Sequence, residues 1–162
     1  MHDKSIDKLI QGINILIVDS NAYMRRLTRM MLQNLGAKSV LEAADGLSAL
    51  EAIRACDPDV MLIDWDIPVL SGMEVMRIVR SPGLFPRPDI PVIMLTSHTQ
   101  RRYVAEAMRT GVHEFLVKPT SHKLLRDRLT SIMVKPRRML RVGDFYVPEP
   151  RAPRILPSEL SR

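Results

Sequence analysis

The segment Val60-Met61-Leu62-Ile63-Asp64-Trp65-Asp66 sets an unbroken apolar run directly before two acids one residue apart. Successive side chains on a strand point to opposite faces, so a run apolar throughout suits a strand covered on both sides, as in a parallel sheet flanked by helices. Working outward, further largely apolar runs span Ile13 to Val18, Ser39 to Ala43, Val92 to Leu95 and Glu114 to Val117. The segments between them carry helical spacing. Met24, Leu27, Met31 and Leu35 mark a first helix, stopped by Gly36, and Leu47, Leu50 and Ile53 a second, ended before Pro58. A third opens with Ser71-Gly72-Met73-Glu74, a capping-box pattern, ahead of Val75, Ile78 and Val79. Val104, Ala107 and Met108 mark a fourth, closed by Gly111, and Leu124, Leu125, Leu129 and Ile132 a fifth. Five alternating strand-helix units joined by right-handed crossovers predict an α/β fold, a doubly wound parallel sheet in a three-layer αβα arrangement. They are too few for an eight-fold barrel.

The chain's 162 residues correspond to one domain of ordinary globular composition, with 46% hydrophobic and 26% charged residues. No apolar run approaches the roughly 20 residues needed to span a bilayer, and Met1 to Ile10 lacks the apolar centre of a signal peptide, so a soluble, unexported protein is expected. Cys56 is the only cysteine, which excludes an intramolecular disulfide and suits the cytoplasm. The domain is expected over 13–134, behind a lead-in or short helical extension over 1–12. Residues 135–162 read as a tail, since Pro136, Pro148, Pro150, Pro153 and Pro157 break any long helix and seven basic residues stand against three acidic ones. Phe145, Tyr146 and Val147, between Arg141 and Arg151, offer an element to dock on the domain or on a partner, while solvated disorder is the plainer reading of the tail. Aromatics make up only 4% of the chain and no helix-turn-helix or zinc-finger spacing occurs, so direct DNA binding is not expected despite the net charge of +6. The stretch from Ser81 to Pro91, with four prolines, reads as an ordered surface loop without chemistry.

In open sheets of this kind ligands collect outside the carboxyl ends of the strands. The residues there are Asp19-Ser20, Asp64-Trp65-Asp66, Thr96-Ser97 and Lys118-Pro119. Converging carboxylates repel by a few kcal/mol per pair at an effective dielectric near 20, which calls for a proton or a cation among them, a divalent metal being the natural choice. Oxygen-only ligands point to Mg²⁺, and His2, His98, His113 and His122 show no zinc spacing. Lys118 as a point charge and the Thr96 hydroxyl as a donor suit a phosphoryl group. Asp64, central among these residues, is then the nucleophile, and the product is an aspartyl phosphate.

From about Ile13 to Met133 the chain resembles the receiver domain of bacterial two-component response regulators, through ILIVDSNAYMRRL, MLIDWDIPVLSGMEV, VIMLTS and FLVKP in order and spacing. The resemblance implies a flavodoxin-like sheet of strand order 2-1-3-4-5. It implies that Asp64 takes a phosphoryl group from a histidine kinase or histidine phosphotransfer protein, with Mg²⁺ held by Asp19, Asp64 and the Asp66 carbonyl. Thr96 would bond the phosphoryl group, Lys118 would pair with it, and Phe115 would be the switch aromatic. The protein would catalyse its own phosphorylation and dephosphorylation rather than turn over a substrate. Its output would be a reshaped face of fourth helix, fifth strand and fifth helix, read by a protein target or a second copy of the chain, unless the chain serves an upstream phosphorelay component as a phosphate sink.

Two departures from the family pattern bear on the site. Ser20 stands where a second acid is usual and is a weaker, neutral metal ligand, so the Asp66 side chain is a candidate to replace the missing charge, the equal alternative being that it points to solvent. His98 stands two residues past Thr96, where the family sets the lifetime of the phosphorylated state; read alone, it is an exposed residue at a helix start. A pseudo-receiver that binds partners without phosphorylation is the alternative that Ser20 raises. An aspartyl-phosphate phosphatase of the haloacid dehalogenase type shares Asp-x-Asp, but that motif lies on the first core strand and lacks Pro68. Pro68 and Val69 also exclude an EF-hand, and Asp19-Ser20-Asn21-Ala22-Tyr23 is a poor flavodoxin phosphate loop.

Overall fold

The alternation of side chains on the central strands divides the interior into two cores. Leu16, Val18, Met61, Ile63, Val92 and Met94 face one cluster, while Ile15, Ile17, Val60, Leu62, Ile93 and Leu95 face the other. The computed structural model describes residues 2–150. Its elements are α1 (His2–Gln11), β1 (Asn14–Val18), α2 (Ala22–Asn34), β2 (Ser39–Ala43), α3 (Gly46–Cys56), β3 (Val60–Asp64) and α4 (Gly72–Val79). There follow β4 (Val92–Thr96), α5 (Arg101–Arg109), β5 (Glu114–Val117), α6 (His122–Val134), β6 (Met139–Val142) and β7 (Phe145–Pro148). Because α1 precedes the first strand, the fourth and fifth helices of the sequence reading are α5 and α6.

β1 to β5 form a parallel sheet in the order β2-β1-β3-β4-β5, as the resemblance implies. Helices α3, α4 and α5 supply Ala49, Leu50, Ile53, Val75, Met76, Val79 and Ala107 to one core. Helices α1, α2 and α6 supply Ile10, Leu32, Leu125, Leu129 and Ile132 to the other. β3 and β4 are buried at every position, which explains their continuous apolar sequence. Each such side chain contributes about 1.5–3 kcal/mol on burial. β2, at the sheet edge, is mostly accessible and correspondingly carries Ser39 and Glu42.

The local signals act where the sequence places them. Asn21, Asp45 and Ser121 accept from the backbone N–H groups of Met24, Ser48 and Leu124, capping α2, α3 and α6. At α4 both halves of the capping box are present, with Ser71 and Glu74 bonded reciprocally.

Both termini are more ordered than the plainer reading of each. The lead-in is a helix of ten residues, held to α6 by the fully buried Ile10 and an ion pair between Asp7 and Arg126 at 3.2 Å. The segment expected to be an unstructured tail forms the antiparallel hairpin β6-β7, with Arg141 opposite Tyr146 and Val142 opposite Phe145. Its prolines fall outside the ladder interior, at Pro136 and at Pro148 on the strand's end, where they cost nothing in pairing. The rest of that expected tail, 151–162, lies outside the described residues.

The loop before β4 is also more than a surface connection. Phe85 and Ile90 are buried, and Arg80, at the end of α4, is fully buried. Its guanidinium donates to the carbonyls of Pro88, Ile90 and Gly111 at 2.6–3.1 Å and lies 3.3 Å from His113 Nδ1. Burial pushes it down to about 9, which leaves it charged at neutral pH.

Candidate functional site

The carboxyl ends of β1, β3 and β5 bring Asp19, Asp64 and Lys118 together, and Thr96 at the end of β4 adjoins them, its carbonyl accepting from the Lys118 N–H at 2.8 Å. Asp19, Asp64 and Thr96 are buried, at 2%, 8% and 0% exposure. Lys118 Nζ bridges the two carboxylates, donating to Asp19 Oδ2 at 2.6 Å and Asp64 Oδ2 at 2.5 Å. The remaining oxygens are held by backbone: Asn21 N–H donates to Asp19 Oδ1 at 2.9 Å and Asp66 N–H to Asp64 Oδ1 at 3.1 Å. The Lys118-Pro119 peptide bond is cis.

Burial dominates the electrostatics. Desolvation pushes the Asp64 carboxyl above the usual carboxylate range, and the bond and charge of Lys118 only partly offset it. For Lys118 desolvation opposes the charge, but the bonds to Asp19 and Asp64 outweigh it and hold the ammonium above its ordinary value. A carboxylate pair sharing one ammonium keeps a net negative charge in a half-dry place, which attracts a further cation.

Gly72 sets the backbone around Asp64. A Cβ on Gly72 would lie 2.5 Å from the Asp64 carbonyl oxygen, and its N–H donates to the Trp65 carbonyl at 3.0 Å. Only glycine permits this approach, which anchors the loop after β3 to the start of α4.

Two of the candidate residues carried two readings each. The Asp66 side chain does not join Asp19 and Asp64: its carboxylate is 61% exposed and lies 2.9 Å from His98 Nε2. Because the Asp66 N–H faces Asp64, its side chain is directed outward, so the expected convergence of three acids reduces to two acids and a lysine. Among the described residues no group of three or more His, Cys, Asp or Glu side chains is arranged around a common metal position. Ser20 is exposed and adds no charge.

His98 is not a bare helix-start residue. Its ring stacks on Tyr103 with centroids 4.3 Å apart, and Trp65 packs edge-on against both rings. Its backbone N–H donates to Thr96 Oγ1 at 3.0 Å, so the hydroxyl expected to meet a phosphoryl group is oriented by the following loop. Phe115, on β5 opposite Met94, is partly buried against the core that contains Met94 and Ala107. Sequence reasoning missed Tyr103, whose place in the first turn after His98 was the available signal. It also missed Arg25, which donates to the Asp19 carbonyl at 2.7 Å and pairs with Glu42.

A five-stranded 2-1-3-4-5 sheet with an acid, acid, hydroxyl and lysine at these strand ends defines a receiver-type signalling domain, and the chain belongs to the response regulator receiver domain family. The family's model matches residues 15–130. The chain is 34% identical over 122 residues to chemotaxis protein CheY1 of Helicobacter pylori, covering 75% of this chain and 97% of that protein. It is 33% identical over 124 residues to chemotaxis protein CheY-3 of Vibrio cholerae, covering 76% and 94%. Among solved structures, a putative response regulator from Chloroflexus aurantiacus superposes with a TM-score of 0.71 at 26% identity, covering 76% and 99%. The receiver domain of the sensor histidine kinase PA1611 of Pseudomonas aeruginosa, with a magnesium ion coordinated in its active-site cleft, gives 0.66 at 27% identity, covering 76% and 98%.

Proposed function

We propose that the protein is a response regulator that accepts a phosphoryl group on Asp64 from a histidine kinase or histidine phosphotransfer protein in the cytoplasm. The observation that carries this reading is the Lys118 ammonium shared between Asp19 and Asp64 at 2.6 and 2.5 Å. It keeps the nucleophilic carboxylate next to a cation that can follow the charge onto an incoming phosphoryl oxygen. In the transfer, an Asp64 oxygen forms the new bond to phosphorus while the bond from phosphorus to the donor's histidine nitrogen breaks, and that nitrogen keeps the electron pair. Lys118 then pairs with the phosphoryl oxygens, and Thr96, already oriented by the His98 N–H, donates its hydroxyl proton to one of them.

The oxygen-only donor set and the excess negative charge of the buried pair fit a magnesium ion, which Asp19, Asp64 and the Asp66 carbonyl would hold. When bound, that ion neutralises charge on the phosphoryl oxygens. The magnesium in the cleft of the similar PA1611 receiver domain supports this assignment. Movement of Thr96 toward the phosphoryl group would draw its loop inward and let Phe115 turn further into the core, reshaping the α5-β5-α6 face for a protein target or a second copy.

Incubation with Mg²⁺ and acetyl phosphate, followed by intact-mass spectrometry, tests the reading. An acid-labile phosphoryl adduct on the wild type that is absent from Asp64→Asn is expected. No adduct at saturating donor and Mg²⁺ would favour a partner-binding pseudo-receiver, the reading to which the neutral, exposed Ser20 lends weight.

A further inference from the structure

The family match ends at residue 130, yet the chain beyond it folds back onto the domain. β6 and β7 are joined by Gly143-Asp144, and Gly143 at φ 60 supplies the first position of a two-residue hairpin turn. In an antiparallel pair the residues next to the closing pair direct their backbone groups away from the partner strand. Val142 and Phe145 close the turn, so the N–H and carbonyl of Tyr146 face outward.

Those outward groups meet the domain. The Tyr146 N–H donates to the Arg80 carbonyl at 3.0 Å, and the Tyr146 carbonyl lies 2.8 Å from where a Cβ on Gly111 would stand. Arg137 makes a second tie by donating to the His113 carbonyl. A bond from the Glu149 N–H to the Arg138 carbonyl, at 2.7 Å, closes the hairpin's base. An edge strand normally exposes its backbone to water or to another chain. Here the outward N–H of Tyr146 is satisfied by the domain itself.

The place of contact is the C-terminal end of α5. Arg80 receives the hairpin through its carbonyl and grips the Gly111 carbonyl, just past α5, through its buried guanidinium. Met108 and Val112 from this end of α5 line a 400 Å³ cavity with Val142, Val147 and Pro148 of the hairpin. The other end of α5 begins directly after the Thr96 to His98 loop of the site. One helix therefore has the phosphoryl-binding loop at its start and the hairpin at its finish.

We propose that the 135–150 hairpin is an intramolecular latch that holds the C-terminal end of α5 in the resting position, the arrangement in which Lys118 is bonded to both Asp19 and Asp64. The regulatory half of this proposal rests on phosphorylation at Asp64. Coupling is reciprocal: if the latch favours the resting position, releasing it strengthens binding of a phosphoryl group, and phosphorylation loosens the latch.

Tyr146→Pro removes the single N–H that ties the hairpin to Arg80 while sparing the ladder to β6, since edge positions whose N–H faces away from the partner accept proline. Tyr146→Phe keeps that N–H and serves as control, and Arg137→Met removes the second tie independently. In the full chain, hydrogen exchange read by mass spectrometry should accelerate at Gly111, Val112 and His113 in Tyr146→Pro and Arg137→Met, but not in Tyr146→Phe. Unchanged exchange at those amides in both variants overturns the latch. With Mg²⁺ present, the beryllium fluoride midpoint read by Trp65 emission should fall about three- to tenfold in the released variants, the ratio that one lost backbone bond sets. An unchanged midpoint overturns the regulatory half. Absence of any beryllium fluoride response in the wild type instead overturns phosphorylation at Asp64, and the exchange experiment then decides the latch by itself.

Discussion

At the scale of single residues, the site is built against the stability of the domain. Asp64 has a raised pKa because burial outweighs the help of Lys118. An acid whose folded pKa exceeds its unfolded one binds its proton more tightly when folded, so its contribution is full below the unfolded value and is lost as pH rises through the folded one. From about pH 4 upward, ionised Asp64 therefore costs stability. Asp64→Asn keeps the shape and leaves Lys118 its bond to Asp19. It is expected to raise the melting temperature at neutral pH by about 2–4 °C, on the order of 1 kcal/mol, with a smaller gain in acid; thermal unfolding across the pH range checks both. The same reasoning fixes the expected consequence of Ser20. A second acid after β1 adds a charge beside the buried pair, so Ser20→Asp should tighten Mg²⁺ binding by about tenfold or more, read as the midpoint of Trp65 emission against Mg²⁺. An unchanged midpoint would mean that position 20 does not face the ion.

At the scale of elements, the strands and helices of the sheet were legible because their burial is periodic and local. Val60 to Ile63 and Val92 to Leu95 are apolar throughout since both faces of β3 and β4 are covered. Ser71 and Glu74 announce α4 because a cap is a short-range interaction. Asp19, Asp64, Thr96 and Lys118 were legible because they follow those runs. Arg80 was not, since its burial depends on carbonyls from Pro88, Ile90 and Gly111, which come together only in the fold. The outward turn of Asp66 was one of two readings the sequence left open, and the backbone bond to Asp64 that goes with it forms only in the fold. The hairpin left a weak trace in Val142-Gly143-Asp144-Phe145, a turn dipeptide between short apolar pieces, masked by the prolines and basic residues around it. The junction of β3 with α4 yields its own prediction. Gly72→Ala places a Cβ against the Asp64 carbonyl, so the loop must shift. We expect phosphorylation by acetyl phosphate to slow by tenfold or more, with a loss of about 1–3 kcal/mol in urea unfolding. Ser71→Ala, which loses only the cap, should cost about 1 kcal/mol and leave the phosphorylation rate nearly unchanged.

At the scale of the whole molecule, the curated relatives are matched over 94–97% of their length but only about three quarters of this chain. Outside the family match at residues 15–130 lie the helix before β1 and the hairpin after α6, and both pack on the sheet's helices. Ligand binding at the carboxyl ends of the strands and hairpin docking beyond the C-terminal end of α5 then act on one cooperative unit. A ligand that binds only the folded state stabilises that unit by RT ln(1 + [L]/Kd), about 2.7 kcal/mol at one hundred times Kd. For a domain of this size that corresponds to a rise of about 5–10 °C in the melting temperature. Mg²⁺ with beryllium fluoride should produce that rise as a single transition in the wild type, and Mg²⁺ alone a smaller one. Asp64→Asn should lose the beryllium fluoride increment while keeping its own higher baseline. A second transition moving independently of the first would show instead that the hairpin and the sheet melt as separate units, and that the contact at the end of α5 does not couple them.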